Sequence, residues 1–536
     1  MGPVPSQDKP LSLAALKANK ARAKLVTKTV TIAKVPKPTP KPQITSSISR
    51  QPAARNVVAN STPRQSIVPR KSSTPASLPS RQTSKEPLER VRQNGHTRTK
   101  RSSPAVSTPR LTSSDDESEE EDPPRKRART TRRDSLDEHR RIRDLASFSE
   151  EASGPLQMVH AADIANIEIL DQSRTKYQDF FTALEVDETD CPTITLQYPS
   201  VSQAEKYQLV RPTDSSDFMP LEDIVSNMKI IAEYYLDTES ARKVNCEEDG
   251  SGFVQLLNRE AKLRGRVGAQ SRFISVVEKF NSLLTEKRKD GTIAKKLDEM
   301  VRVDVQLAEH IIKSQVYART VSPQVHLVRQ YASFSDNVYG ELLPKFLSRI
   351  FKETHLKSNQ IFVDLGSGVG NCVLQAALEI GCDSWGCEFM ENPNTLAQLQ
   401  AKEFPARCRL WGIKPGKVHL IHGDFLKKQE IKEVLKRADV ILVNNQAFTA
   451  ELNDKLKYVF LDVKEGAQIV SLKPFRSPAH KIKVTNVNDP INVLEVEEKA
   501  RYSGMVSWAD DHGKWYHQRK DSRALEAFTK KLARSK

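Results

Sequence analysis

The chain has 536 residues, with 84 Lys+Arg against 68 Asp+Glu and a formal net charge of +16. All of that excess lies in residues 1–150, which hold 31 basic and 15 acidic groups, 17 of the 30 prolines and a single aromatic, Phe148. No apolar run reaches membrane-spanning length, no signal-peptide core is present, and the six scattered cysteines form neither a CxxC pair nor zinc spacing, so the expectation excludes secreted, membrane-spanning, disulfide-stapled and zinc-built proteins.

Residues 1–154 cannot bury enough apolar surface to offset chain entropy, so the composition predicts a disordered tail. Lys17, Lys20, Lys24, Lys28, Lys34, Lys37 and Lys41 are spread among Ala, Thr and Pro. Distributed lysines of this kind suit DNA binding through phosphates, without sequence readout. Residues 113–122 are an acidic, serine-rich block, and Arg125-Lys126-Arg127-Ala128-Arg129 follows two prolines. A compact basic cluster in that setting predicts a nuclear localisation signal and a nuclear protein.

The charge then reverses: residues 151–250 carry 7 basic and 20 acidic groups, and aromatics return. Helical apolar spacing over Ile224–Tyr235, Phe273–Leu284 and Lys295–Val321, the last with Val301 on its apolar side, predicts a helical lobe spanning 155–320. The lobe shows no catalytic constellation.

From 321 to 520 strand and helix patterns alternate. Helices are predicted over Gln324–Phe334 and from Leu342 through Phe351. Strands are predicted at Gln360–Asp364, Asp383–Glu388, Val418–Ile421, Val440–Val443 and Ala467–Ser471, with helices between them. That rhythm implies an α/β fold, a parallel sheet covered on both faces. Ile491–Val496 and Lys514–Gln518 suit antiparallel edge strands, and 521–536 reads as a basic helix or tail.

In an open α/β sheet, ligands sit off the carboxyl ends of the strands. Asp364, Glu388, Asp424 and Asn444 each fall at such an end, in four successive strand–helix units. One polar strand end is ordinary turn chemistry; four aligned ends, one leading into Gly366-Ser367-Gly368-Val369-Gly370, predict a cofactor site. The spacing is GxGxG rather than the GxGxxG of a dinucleotide site, and the lysine of a phosphate-binding P-loop is missing.

The run Phe362-Val363-Asp364-Leu365-Gly366-Ser367-Gly368-Val369-Gly370-Asn371 resembles the first motif of class I S-adenosylmethionine-dependent methyltransferases, which implies a Rossmann-like, mainly parallel seven-stranded sheet. The resemblance implies that the glycine turn takes the amino-acid part of the cofactor. Glu388 would take the ribose hydroxyls and Asp424 the adenine amino group, with Phe425 on the ring face. Val338-Tyr339-Gly340-Glu341, the glycine run, Gly423-Asp424-Phe425, Val443-Asn444-Asn445 and Ser471-Leu472-Lys473-Pro474-Phe475 together resemble the disruptor-of-telomeric-silencing (DOT) family, histone H3 lysine methyltransferases without a SET domain, and the resemblance implies cofactor contacts from Tyr339, Gly340, Glu341 and Leu342. Val506-Ser507-Trp508 and Trp515-Tyr516 are similar to that family's closing segment. The resemblance covers 320–520 densely and 155–320 loosely. It implies a nucleosomal substrate, lysine 79 of histone H3, and a role in chromatin regulation and telomeric silencing. A basic region ahead of the catalytic domain resembles the fungal members. One departure stands out: Gln446 occupies a place where the family carries an aromatic, although Phe448 is kept.

A methyl on a sulfonium already has a good leaving group, so the protein's work is positioning and desolvation. The attacking amine must be neutral, and an apolar channel lowers the pKa of a lysine by disfavouring the ammonium. Phe475, Trp508, Tyr516 and Asn445 are candidate channel residues, Asn444 the candidate acceptor for the amine, and no metal is expected. The expectation is a monomer that contacts nucleosomes through histones and through DNA along the tail. Two other readings stay open: a nucleic-acid amino-methyltransferase, whose fourth-strand motif would carry two prolines that are missing after Asn444, and a non-enzymatic adaptor, which need not keep Asp364, Glu388 and Asp424.

Overall fold

The computed structural model describes residues 137–149, 154–168, 177–185, 191–215, 217–328, 340–508 and 512–535. The expectations for the basic tail up to residue 136, its localisation signal, the distal part of the Gln324–Phe334 helix and Tyr339 fall outside them. The packed region starts before residue 155: Ile142 is buried, Arg143 bridges to Ile413, and Arg140 donates to the carbonyls of Leu378 and Lys414.

The lobe opens with two small antiparallel pairs. Strand β1 (Tyr177–Asp179) pairs with β4 (Val210–Pro212), and β2 (Thr193–Leu196) with β3 (Glu205–Gln208). In β2, Ile194 and Leu196 face in while Thr193 and Thr195 face out, the alternation of a half-buried strand. The sequence predicts a helical lobe without these strands; the two short pairs precede its helices. The helices Pro220–Tyr235 and Ala269–Lys289 lie where expected. The single helix expected over Lys295–Val321 is instead broken. Thr292–Glu299 ends, Val301 is 57% exposed rather than apolar-facing, and a new helix starts at Val305. Asp304 caps that new helix by accepting from Gln306 N, so the cap gives the break its physical reason.

The second half is a seven-stranded sheet. Its strands are β5 (Ile361–Leu365), β6 (Asp383–Glu388), β7 (Val418–His422), β8 (Val440–Val443), β9 (Gln468–Ser471), β10 (Leu494–Arg501) and β11 (Gly513–Lys520), in the order β10-β11-β9-β8-β5-β6-β7. Strands β5 to β9 run parallel, and β11 is antiparallel to both β9 and β10. Of the two closing strands only β10 is an edge; β11 lies inside the sheet. All four residues of β8 are buried, the unbroken apolar run of a strand covered on both faces. Chain order reverses between β5 and β8, and the crevice above that reversal is where a doubly wound sheet binds its ligand.

The two halves share one core. Tyr235, Phe273 and Leu297 of the lobe pack in the same apolar cluster as Leu374, Phe404, Cys408 and Trp411. The helix Glu391–Leu410 carries much of this join. Its Arg407 is fully buried, paired with Glu205 at 2.6 Å and Glu403 at 2.6 Å, and Glu205 pairs in turn with Arg319. Arg319 also meets Asp223, and Tyr198, Tyr207 and Asn227 complete the network. Buried charges persist only when paired and hydrogen-bonded, as these are.

Candidate cofactor and active site

Strand β5 ends at Leu365 and the chain turns at once. Gly366, Gly368 and Gly370 have φ of 92°, 55° and 91°, so all three sit in the left-handed region that glycine alone adopts without strain. Gly366 N and Ser367 N donate to Cys387 O on β6, and Gly370 N donates to Ser367 O. Gly370 then caps the helix that begins at Asn371. Backbone bonds hold both ends of the turn.

A cavity of about 430 Å³ opens beside the turn. Its walls hold Gly340, Glu341 and Leu342, the turn residues Gly366, Ser367, Gly368, Val369 and Asn371, and Asp364, Glu388, Asp424, Phe425 and Asn444. All four polar strand ends predicted from the sequence therefore converge on one space. Phe362, Val363 and Leu365 do not line it; they are buried in the cores on either side of the sheet. Sequence reasoning missed Cys372, Phe389, Met390, Pro393 and Leu452 as lining residues. Phe389 and Met390 had a signal, since they directly follow the acid that ends β6.

Asp364 is 2% exposed, and burial pushes its carboxyl up to about 8, with the Glu388 charge adding to the rise and a hydrogen bond with Cys372 opposing it. Burial also raises Glu388, against the pull of backbone donors. Its Oε2 accepts from Gly368 N at 2.8 Å and its Oε1 from Met390 N at 2.8 Å. Each carboxylate oxygen keeps a lone pair, so Glu388 can tie the glycine turn down and still accept from a ligand's hydroxyls. Phe425 stacks with Phe448 at 6.2 Å, and Phe448 lies over Gly366.

Asn444 stands at the end of β8. Its Nδ2 donates to Gly340 O at 3.1 Å, while its Oδ1 is buried and has no partner among the described residues. Asn444 lines the cavity as a residue, and its amide is the side-chain carboxamide nearest the clasped segment at Gly340. The segment carrying Gly340 is clasped by the chain near Trp508. Leu342 bridges to Val506, Glu341 N donates to Ser507 Oγ, and a Cβ on Gly340 would come within 2.6 Å of the Trp508 ring.

None of the four candidate channel residues lines the cavity. Asn445 is fully buried and joins β8 to β9: its Oδ1 accepts from Leu472 N and Lys473 N, and its Nδ2 donates to Asn453 Oδ1 and Lys473 O. Phe475 is buried against Phe460 at 4.8 Å. These two are therefore corrected from channel wall to structural ligature and core, because burial removes them from any open channel. Tyr516 sits on β11 opposite Ser471. Trp508, 39% exposed, stands beside Gly340.

The cradle fits a sulfonium cofactor with an amino-acid arm, a ribose and an adenine: a glycine-rich turn, acids at three strand ends, an aromatic pair and the Asn444 amide. Fold and site together define a class I S-adenosylmethionine-dependent methyltransferase. The family model described as histone methylation protein DOT1 matches residues 317–519. Two proteins named histone-lysine N-methyltransferase, H3 lysine-79 specific, are similar to this chain. That of Emericella nidulans is 48% identical over 76% of this chain and 78% of its own, and that of Aspergillus fumigatus is 45% identical over 91% and 95%. The chain belongs to the DOT1 family of histone methylation proteins. Among solved structures, an RNA methyltransferase from Salinibacter ruber in complex with S-adenosyl-L-homocysteine is 17% identical, with a TM-score of 0.23, over 34% of this chain and 95% of that one.

Proposed function

We propose that the protein transfers methyl from S-adenosylmethionine to lysine 79 of histone H3 on the nucleosome, in the nucleus. Membership of the family supports the target, and the observation that carries the chemistry is the convergence of Asn444 with Asp364, Glu388 and Asp424 on one cofactor-sized cavity. When bound, the cofactor supplies a methyl already activated on a sulfonium. Asn444 accepts a hydrogen bond from the incoming amine and fixes the direction of its lone pair. Glu388 and Asp424 orient the donor, the aromatic pair Phe425–Phe448 excludes water from it, and the clasp at Gly340–Trp508 closes the side from which the amine arrives. No carboxylate or histidine is assigned as a base; loss of water around the incoming amine disfavours the ammonium.

The basic tail adds affinity for nucleosomal DNA through phosphates and carries the nuclear address. Labelled methyl from S-adenosylmethionine is expected on nucleosomal H3 and barely on free H3, with mass spectrometry placing it on lysine 79. Label on naked DNA or RNA instead would overturn the proposal. Removal of residues 1–136 is expected to weaken nucleosome binding and flatten its salt dependence while leaving cofactor affinity intact. An unchanged salt slope would show that the tail makes no phosphate contacts.

A further inference from the structure

The helix Glu391–Leu410 touches both the cofactor cavity and the buried ion cluster of the lobe. Pro393 lies on the cavity wall, and Glu403 and Arg407 join Glu205 and Val159 in the lobe. Between these ends sits Gln400, fully buried. Gln400, Glu403 and Arg407 share one face of the helix, since residues three, four and seven apart align. Gln400 Nε2 donates to Val369 O at 2.6 Å and to Asn371 Oδ1 at 3.0 Å. Val369 and Asn371 both line the cavity, on either side of Gly370. The helix starting at Asn371 has no side-chain cap. Gln400 thus braces the two ends of this turn on either side of Gly370, while Glu388 holds its middle through Gly368 N.

The other half of the amide has no such partner. Gln400 Oε1 is buried without a hydrogen bond among the described residues. A buried unmet acceptor costs free energy, which the two bonds of Nε2 to the turn must offset. A methionine would fill the same space without an orphan oxygen.

We propose that Gln400 is a positioning residue for the methyl-donor site, gripping the glycine turn from behind and tying it to a helix that the lobe's ion cluster anchors. The inference rests on the methyl-donor reading of the cavity, and it is independent of which histone lysine is modified. It gives the lobe a part in cofactor binding: the lobe fixes the helix, and the helix fixes the turn.

The test uses the full-length protein and direct titration with S-adenosylmethionine, without histone. Gln400→Met is expected to weaken cofactor affinity about tenfold and to raise the KM for cofactor by the same factor. The kcat at saturating cofactor and the KM for nucleosomes should stay close to those of the unsubstituted protein, with only a modest fall in melting temperature from the two bonds lost. Gln400→Glu gives the second readout, because its carboxyl can donate to Val369 O only when protonated. Its affinity, expressed as a ratio to the unsubstituted protein at each pH, is expected to recover toward acid; the ratio cancels the titration of Asp364 and Glu388 themselves. Unchanged cofactor affinity in Gln400→Met, or a loss shared equally by kcat, both KM values and stability, would overturn the proposal. So would a flat ratio in Gln400→Glu. If the unsubstituted protein does not bind S-adenosylmethionine, the donor reading itself fails, an outcome distinct from failure of the positioning role.

Discussion

Two alanine substitutions in the same turn are expected to fail in different ways. Gly366 and Gly370 have nearly the same φ, 92° and 91°, so an alanine at either carries a similar backbone penalty, roughly 1–2 kcal/mol for an L-residue in the left-handed region. Their surroundings differ. At Gly366 the nearest atom to a new Cβ is Phe448 Cζ at 3.5 Å, ordinary contact distance, and the methyl would intrude on the cofactor cavity. At Gly370 the new Cβ would stand 2.8 Å from Leu420 Cδ1 and 3.1 Å from Cδ2, so the side chain on β7 must move. Overpacking of that kind adds roughly 1–3 kcal/mol. Gly366→Ala is therefore expected to cost about 1–2 kcal/mol of stability and more than tenfold in cofactor affinity. Gly370→Ala is expected to cost about 2–5 kcal/mol with a smaller effect on affinity. Denaturant midpoints and cofactor titration on each variant separate the two. Equal stability losses, or full cofactor affinity in Gly366→Ala, would refute the assignment of one glycine to the cavity and the other to the sheet.

Asp364 predicts a pH dependence. Its native pKa, about 8, lies above that of an unfolded aspartate, so the native state holds the proton more tightly and the protein free of cofactor should lose stability as pH rises toward 8; Asp364→Asn should flatten that slope in denaturation midpoints measured from pH 5.5 to 8.5. Asn444→Ala is expected to lower kcat about 10²-fold by loss of amine alignment, with cofactor affinity within about threefold; a larger effect on affinity than on kcat would remove Asn444 from the catalytic role. Arg407→Met strands Glu403 in the interior, leaves Glu205 with Arg319 alone, and should cost about 3–5 kcal/mol, whereas Lys243→Ala, from an exposed pair with Glu239, should cost a few tenths of a kcal/mol; thermal or chemical unfolding of the two variants side by side checks the contrast.

The sheet and its cavity were legible because the signals are local. Val440-Ile441-Leu442-Val443 reads as a strand covered on both faces without knowledge of its neighbours. A polar residue at such a strand's end reads as a ligand contact once the sheet is parallel, and Asp364, Glu388, Asp424 and Asn444 all line one cavity. The break between Glu299 and Val305 was hidden for a related reason: the apolar spacing continues in phase across it, and only the Asp304 cap marks the new start. Orientation was the harder quantity. Asn445 and Phe475 have the right residue types for a channel, yet their facing depends on how β8 meets β9, and that is a matter of tertiary packing.

Least legible of all was the buried ion cluster, because its members are far apart in sequence: Glu205 and Arg407 are separated by 202 positions. From the sequence each is an ordinary surface charge, and charged residues are rarely fully buried unless paired. Pairing them inside the join is what makes the lobe part of the catalytic fold rather than a neighbour to it. Such a cluster is weak as a source of net stability, since desolvation offsets much of the attraction, but its geometry is demanding. A hydrophobic join could slide by a fraction of an ångström at little cost. The guanidinium of Arg407, held at once by Glu205, Glu403 and the Val159 carbonyl, fixes one end of the helix whose Gln400 grips the glycine turn. A donor site that depends on placement more than on acid–base chemistry is well served by a support of that kind.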